Sequence, residues 1–175
     1  MSEIQNIYLI GPMGSGKTAV GRQLARLLQL GFYDSDVEIE RRTGVDIPYI
    51  FEKEGEAGFR EREREVIDLL TQLSNVVIAT GGGAILLPEN RARLAERGQV
   101  VYLQTGIQQQ LERTRHGRQR PLLYTDDPEK RLRELMDLRA PLYESIAKVT
   151  VMTDGRAVRV VADEIMQLLR DTVTP

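Results

Sequence analysis

The chain has 175 residues, of which 41% are hydrophobic and 29% are charged, and its formal net charge is −2. The length and composition predict one globular domain with a sizeable core. No apolar run is long enough to form a bilayer-spanning helix, and the negative net charge argues against a nucleic-acid-binding protein. A chain with no cysteine and a single histidine cannot form disulfides, thiolate metal sites or histidine metal clusters.

Apolar strands alternate with helical patterns along the chain. Strands are predicted at residues 6–10, 31–33, 76–79, 100–103 and 149–152, and all but 31–33 are nearly continuous in apolar or β-branched residues, as strands buried on both faces are. Helices are predicted at residues 18–30, 37–43, 60–73, 89–97, 107–115, 128–143 and 157–171. The alternation predicts a three-layer α/β sandwich, a five-stranded parallel sheet with helices on both faces, in one domain spanning residues 1–175.

A glycine-rich loop lies between the first strand and the first helix. Residues 11–18 read GPMGSGKT, which fits G-x-x-x-x-G-K-[ST] in its strand–loop–helix setting. The glycines let backbone N–H groups point inward at a phosphate, and the helix N-terminus adds a positive dipole end. Lys17 can reach the β- and γ-phosphates, and the Thr18 hydroxyl can ligate Mg²⁺. The loop therefore predicts nucleotide binding.

Two aspartates close the second strand, in the sequence FYDSD. If the segment is extended, Asp34 and Asp36 point in similar directions at the edge of the sheet that carries the glycine loop. One can hold Mg²⁺ and the other can accept a proton from a substrate hydroxyl, as phosphoryl transfer requires. The alternative is purely structural, with Asp36 or Ser35 capping a helix that begins at Val37.

Three consecutive glycines, Gly81, Gly82 and Gly83, follow the buried third strand. Their N–H groups can approach a small polyol or a γ-phosphate without interference from side chains. The alternative is a flexible turn into the next helix. No acidic residue occurs at the end of this strand, so the magnesium role falls to Asp34.

Arginines occur in three settings. The run RERERE is typical of a solvated, ion-paired helix face, but Arg60 lies at its start near the expected cleft, where Glu63 can hold its guanidinium. Residues 113–123 are basic and interrupted by glycine, which favours a flap over a triphosphate, with a surface loop for nucleic acid as the alternative. Arg139 is either a cation at a helix end or a planar fork for a carboxylate.

Six motifs occur in a family-like order and spacing: GPMGSGKT, FYDSD, GFRERE, ATGGGA, RPLL and RAPLYE. Together they resemble the shikimate kinases, small enzymes of the nucleoside-monophosphate-kinase type. The resemblance implies transfer of the ATP γ-phosphate to the 3-hydroxyl of shikimate, in aromatic amino-acid biosynthesis. It also implies a substrate-binding segment at about 37–60 and a lid at about 112–123.

The residue patterns and the resemblance together assign the site. Lys17, Asp36 and Arg120 are the expected catalytic residues. The expected substrate contacts are Asp36, Arg60, Gly81, Gly82, Gly83 and Arg139. The expected ATP contacts are Gly14, Ser15, Gly16, Lys17, Thr18, Ala19, Arg113, Arg120 and Arg156. Thr18 and Asp34 are the expected magnesium ligands.

Three other functions remain open at this point. A gluconate kinase of similar build would share the glycine loop but need not have the other motifs. A nucleotide-dependent switch would bind ATP without phosphorylating a hydroxy acid, and an RNA-binding protein would use the basic flap despite the net negative charge. We expect a cytoplasmic monomer that takes ATP, Mg²⁺ and shikimate, with no nucleic-acid or membrane partner.

Overall fold

The computed structural model describes residues 5–115 and 121–173, and it is built on a parallel sheet in the strand order β2-β3-β1-β4-β5. The strands are β1 (Ile7–Ile10), β2 (Gly31–Asp34), β3 (Val76–Ala79), β4 (Gln99–Gln104) and β5 (Val149–Met152). All five predicted strands are confirmed, with ends displaced by at most one residue.

Seven α-helices lie within the described ranges. They are α1 (Lys17–Leu28), α2 (Ser35–Thr43), α3 (Ile47–Thr71), α4 (Pro88–Arg97), α5 (Ile107–Thr114), α6 (Pro128–Ile146) and α7 (Val158–Val173). Two short 3₁₀ helices, Ala84–Leu86 and Pro121–Leu123, complete the description. Two of the predicted helices begin at a proline: α4 begins at Pro88, one residue before its predicted start, and α6 begins at Pro128 as predicted, with the Asp127 carboxylate accepting from the amide of Lys130.

The sheet is covered on both faces, as the alternation predicted. On one face, Val20 and Leu24 of α1 and Val161 and Ile165 of α7 form a buried cluster with the side chains that β1, β3 and β4 direct to this face. The other face carries a second cluster with apolar side chains from α2, α3, α4 and α6. The three layers follow from this double coverage.

The edge strands differ from the three central ones. The central strands β1 and β3 are buried at every position, whereas β5 alternates, with Val149 and Val151 buried and Met152 exposed. The expectation that residues 149–152 are buried on both faces is therefore wrong. A short β-branched run has the same sequence pattern in an edge strand as in a central strand, because the sequence does not show which strands flank it in the sheet.

Helix α3 is much longer than the predicted helix at 60–73. It begins at Ile47 because the Asp46 carboxylate caps it by accepting from the Tyr49 amide, and Pro48 lies in its first turn. Gly55 interrupts the helix with φ 71°, ψ −178°, so α3 is two helical pieces joined at a kink. The charged and glycine-rich stretch around this kink masked the helical period in the sequence.

The carboxyl ends of β1, β2 and β3 meet at one edge of the sheet. The strand register places Leu9 and Asp34 beside Ala79, one on each side of β3. Thr80 fixes the end of β3 to β1, since both its amide and its hydroxyl donate to the carbonyl of Leu9. The glycine loop, the two aspartates and the three glycines therefore leave the sheet together. In the described ranges, no helix combines the length and the apolar character needed to cross a bilayer.

Candidate active site

Two cavities lie side by side at this edge of the sheet. One, of about 1000 Å³, opens over the glycine loop and is here called the phosphate cavity. The other, of about 460 Å³, lies between α3, α6 and the three glycines and is here called the acid cavity. Four residues line both: Met13, Asp36, Gly81 and Gly82. The two cavities are thus neighbouring parts of one cleft.

The phosphate cavity is built on the loop between β1 and α1. Gly14 and Gly16 have φ of 77° and 89°, in the left-handed region that favours glycine. Because Gly16 is the N-cap residue of α1 and has no side chain, the first amides of the helix can bind an anion. The Lys17 ammonium is buried here and donates to the carbonyls of Gly11 and Pro12 at 2.7 and 2.8 Å.

Thr18 and Asp34 bring two oxygen atoms that can act as metal ligands to the phosphate cavity. The Thr18 hydroxyl donates to Asp34 Oδ2 at 2.7 Å, while Asp34 Oδ1 accepts from the amides of Asp36 and Val37. A hydroxyl and a carboxylate oxygen are hard ligands that suit Mg²⁺ beside phosphate oxygens and water. The described ranges contain no cluster of three or more acidic or histidine residues that could cage a metal alone.

Asp34 also corrects two predictions about this segment. It is Asp34, and not Asp36 or Ser35, that caps α2, so the helix begins at Ser35 and not at Val37. Asp36 therefore lies in the first helical turn, and the expected extended segment carrying both aspartates is wrong. The two carboxylates nevertheless line the same cavity, because the cap residue and the second helical residue both lie at the carboxyl end of β2.

Each of the three glycines has a charged side chain packed against it. A Cβ atom on Gly81 would lie 2.7 Å from Asp36 Oδ1 and 2.8 Å from Glu63 Oε2. A Cβ atom on Gly83 would lie 2.4 Å from the Arg60 guanidinium, and one on Gly82 would lie 3.5 Å from that of Arg139. Asp36, Glu63 and Arg60 can therefore take these positions because Gly81 and Gly83 lack Cβ atoms, whereas the distance at Gly82 is an ordinary van der Waals contact.

The acid cavity thus brings together residues that are far apart in the chain. Asp36 comes from α2, Arg60 from α3 and Arg139 from α6, and all three line it with the glycines. Ile47, Phe51 and Phe59 add apolar surface to the wall, and Pro121 and Leu122 line it from the short helix Pro121–Leu123. The result is a small cavity with two guanidinium groups, the carboxylates of Asp36 and Glu63, and an apolar side.

Arg60 and Glu63 form a buried ion pair, as the sequence suggested. Arg60 Nη1 donates to Glu63 Oε1 at 2.8 Å, and the Glu63 side chain is 1% exposed. Burial disfavours the charged form of Arg60, but the attraction of Glu63 and Glu56 outweighs it and its pKa is raised. Burial raises the pKa of the Glu63 carboxyl, against the pull of the two arginines.

Arg139 is held differently. It lies in the interior of α6, which continues through Pro141 to Ile146, so its interpretation as a cation at a helix end is wrong. The residue is 3% exposed. Its pKa is lowered by burial, and the like charge of Arg60 adds to this, while contacts with Tyr143 and Glu63 only partly oppose it. The charge on Arg139 is less well compensated than that on Arg60, which favours an incoming anion.

Of the remaining predicted residues, the structure brings one to the phosphate cavity. Arg113, in the last turn of α5, donates to the Gly14 carbonyl at 2.8 Å and lines this cavity. Arg156 is not among the residues that line it; this side chain donates to the Met152 carbonyl and pairs with Glu164. Arg120 and the middle of the basic flap fall in residues 116–120, which are outside the description.

Two supporting residues went unassigned in the sequence. Ser35, fully buried, accepts from the Gly81 amide at 2.9 Å and so ties the start of α2 to the three glycines. Tyr143, also fully buried, donates to the Gly82 carbonyl. The available signal for Tyr143 was its position four residues after Arg139, which places both side chains on one helix face.

A parallel sheet of this order, with a glycine loop after its central strand and a second cavity beside it, defines the class of P-loop kinases of small molecules. The shikimate kinase family profile matches residues 13–170. A shikimate kinase of Legionella pneumophila (strain Corby) is 54% identical over 167 residues, covering 95% of each chain. The chain therefore belongs to the shikimate kinase family.

Solved structures agree with this. The shikimate kinase from Acinetobacter baumannii in complex with shikimate superposes with a TM-score of 0.97 at 51% identity, covering 99% of this chain and 97% of that one. A gluconokinase from Sinorhizobium meliloti gives a TM-score of 0.61 at 16% identity, covering 96% and 93%. The second likeness is one of fold alone.

Proposed function

We propose that this chain transfers the γ-phosphate of ATP to the 3-hydroxyl of shikimate, giving shikimate 3-phosphate and ADP. The observation that carries the proposal is the position of Asp36, which lines both the phosphate cavity and the acid cavity. A phosphoryl donor in one and a hydroxyl acceptor in the other would meet beside its carboxylate. Membership of the shikimate kinase family supports the choice of acceptor.

The acid cavity suits a ring with one carboxylate and several hydroxyls. Arg139 and Arg60 offer planar forks, which bind carboxylates in a bidentate manner better than lysine does. An anionic substrate group would compensate the buried charge on Arg139, whose pKa is lowered by burial and by Arg60. Phe51 and Phe59 provide an apolar wall for the face of the ring.

The reaction needs a proton acceptor at the junction of the cavities. In the proposal the 3-hydroxyl oxygen of shikimate bonds to the γ-phosphorus while its proton passes to the Asp36 carboxylate. The bond between the γ-phosphorus and the bridging oxygen of ADP breaks in the same step. The backbone of Gly81 and Gly82 lies at the same junction, and the Gly82 amide can orient the acceptor. Precise placement of the two reactants supplies much of the rate.

The phosphate cavity handles the negative charge of ATP. Gly14, Ser15, Gly16, Lys17, Thr18 and Ala19 would bind the phosphates through backbone amides, the Lys17 ammonium and the Thr18 hydroxyl. Bound Mg²⁺ would be held by Thr18 and Asp34 and would neutralise phosphate charge. Arg113 and Arg156 would contact the nucleotide at its outer end, and Arg120 would reach the phosphates from a lid at 112–123 that excludes water.

Both cavities are lined by residues of one chain, so the proposed reaction needs no second copy. We accordingly propose a monomer acting on small molecules in the cytoplasm, with no nucleic-acid or membrane partner.

The test is a coupled ADP-release assay with ATP and Mg²⁺. Shikimate is compared with gluconate, and a reaction without acceptor measures background hydrolysis. We expect shikimate to give by far the highest kcat/KM, with the product phosphorylated at the 3-hydroxyl by NMR. Preference for gluconate would make the chain a different sugar-acid kinase, and ADP release that is independent of any acceptor would indicate a nucleotide-dependent switch.

A further inference from the structure

Tyr143 places a hydroxyl group within a hydrophobic core cluster. Its side chain is fully buried within the core cluster that α6 shares with α2, α3 and α4. A buried phenol oxygen without hydrogen bonds is costly, so the contacts of this hydroxyl show what it does. Phenylalanine would fill the same space without that cost.

The hydroxyl has one donor role and one acceptor role. It donates to the carbonyl of Gly82, which can only accept. Its other neighbour is the guanidinium of Arg139, one helical turn earlier, which can only donate and whose charge lowers the pKa of the phenol against the larger effect of burial. An oxygen that donates to Gly82 can only accept from Arg139, so the hydroxyl lies between the second of the three glycines and this guanidinium.

The ring of Tyr143 is itself held in place. It stacks on Tyr102 of β4, with ring centroids 5.0 Å apart and an interplanar angle of 29°. Tyr102 is 2% exposed and lies in a central strand of the sheet. The hydroxyl is thus anchored to the rigid part of the fold, while the two groups that it contacts belong to the substrate-binding wall.

We propose that Tyr143 is a positioning residue that fixes the Arg139 guanidinium against the Gly82 segment, at the separation that receives the substrate carboxylate. The inference rests on the proposed function, because it takes the acid cavity as the shikimate site. Gly82 and Arg139 are in near contact already, since a Cβ on Gly82 would lie 3.5 Å from Arg139 Nη1. Without the hydroxyl, the guanidinium would have other rotamers available and the glycine segment would lose an anchor.

The first test compares Tyr143→Phe with Tyr102→Phe. Both remove one hydroxyl from the same aromatic stack, but only the first removes the link to Arg139. For Tyr143→Phe we expect the KM for shikimate to rise about ten- to a hundredfold, the range for a hydrogen bond to a charged group. The KM for ATP is expected to change little, while loss of the buried hydrogen bond to Gly82 should lower the melting temperature modestly. Tyr102→Phe is expected to leave both KM values near those of the unmodified protein.

Three outcomes would overturn the inference: an unchanged KM for shikimate in Tyr143→Phe, an equal rise for both substrates, or the same rise in Tyr102→Phe. The unmodified protein is assayed first with shikimate. If it forms no shikimate 3-phosphate, the proposed function fails. If the unmodified protein forms shikimate 3-phosphate but Tyr143→Phe and Tyr102→Phe have the same KM for shikimate, only the proposed role of Tyr143 fails.

A double-mutant cycle separates positioning from general loosening. Tyr143→Phe is measured in an Arg139→Ala background by kcat/KM for shikimate below saturation. If the hydroxyl acts through Arg139, its removal has an effect of less than about twofold there. An undiminished effect in that background would contradict the inference.

If Tyr143→Phe does not fold, the unmodified protein can be labelled with ¹³C at the tyrosine ζ carbon. We expect the Tyr143 signal to shift on adding shikimate and to stay in place on adding ATP alone. A signal that does not respond to shikimate would overturn the inference.

Discussion

The two cavities are assembled in opposite ways. The phosphate cavity takes Lys17, Thr18 and a helix N-terminus from one short segment, residues 11–18, whose backbone geometry suits an anion. The acid cavity takes its charged groups from α2, α3 and α6, which are more than 100 residues apart at their extremes, and these groups are buried or half-buried. A local motif can thus bind a common ligand, whereas recognition of a particular acceptor needs side chains brought together by the whole fold.

The difference extends to electrostatics. In the phosphate cavity Lys17 is surrounded by carbonyl oxygens of its own loop. In the acid cavity Glu63 compensates the charge of Arg60 well and that of Arg139 only partly. Substitutions in the first cavity should therefore affect the chemical step, and those in the second should affect acceptor binding or stability.

The largest effect is expected for Lys17→Ala. Loss of this ammonium removes a charge that stabilises the transferring phosphoryl group, so we expect kcat to fall about 10³-fold. Lys53→Ala, an exposed residue of α3, is the matched control and should retain normal turnover. Circular dichroism should show an intact fold, and near-normal turnover of Lys17→Ala would remove it from the mechanism.

The second effect separates the two aspartates. Asp36→Asn is expected to lower kcat about 10²-fold with little change in ATP affinity, since general-base contributions are of this order. Asp34→Asn retains a good N-cap residue and should instead raise the Mg²⁺ concentration needed for half-maximal rate. Steady-state kinetics over a magnesium series distinguishes them, and a magnesium effect confined to Asp36→Asn would reverse the assignment.

The third prediction concerns stability. Glu63→Ala removes the hydrogen-bond partner of the largely buried Arg60 and leaves a cavity, and we expect a loss of roughly 3 kcal/mol in the free energy of unfolding by urea titration. Glu61→Ala, which breaks an exposed pair with Arg64 on the same helix, is the control and should change the melting temperature little. Equal effects would mean that burial of the Arg60–Glu63 pair does not matter.

A second variant, Glu63→Gln, keeps the size of the side chain and tests the pKa of Glu63. Burial raises this pKa above its ordinary value of 4.5, so the folded state favours the protonated carboxyl. The associated stability is fully present below pH 4.5 and is lost as the pH rises through the folded pKa. The excess stability of the unmodified protein over Glu63→Gln should therefore shrink as the pH rises, and an excess that grows would contradict the raised pKa.

The smallest effect is expected for Arg139→Lys. The charge is kept, but an ammonium cannot replace a planar fork, so the KM for shikimate should rise about tenfold with kcat largely retained. Arg133→Lys, on the exposed face of α6, is the control. An unchanged KM for shikimate would show that Arg139 contributes charge alone.

The contrast between the cavities also explains what the sequence could predict. The strands and the glycine loop follow from local patterns, and Arg60 with Glu63 follows from helical spacing. The cap at Asp34 was missed because Asp34, Ser35 and Asp36 are all good N-cap residues, so composition alone does not choose among them. The early start of α3 was missed because Gly55 breaks the period within it. The link from Tyr143 to Gly82 spans 61 residues, and no local pattern contains it.

The glycine triplet has a consequence for inhibition. Any side chain at residue 83 would meet the Arg60 guanidinium, and any at residue 81 would meet the carboxylates of Asp36 and Glu63. A compound that fills the acid cavity against this wall would therefore be difficult to exclude by a substitution at residue 81 or 83. Such a substitution would displace the charged groups proposed to bind the acceptor, and we expect it to lower the activity of the enzyme as well.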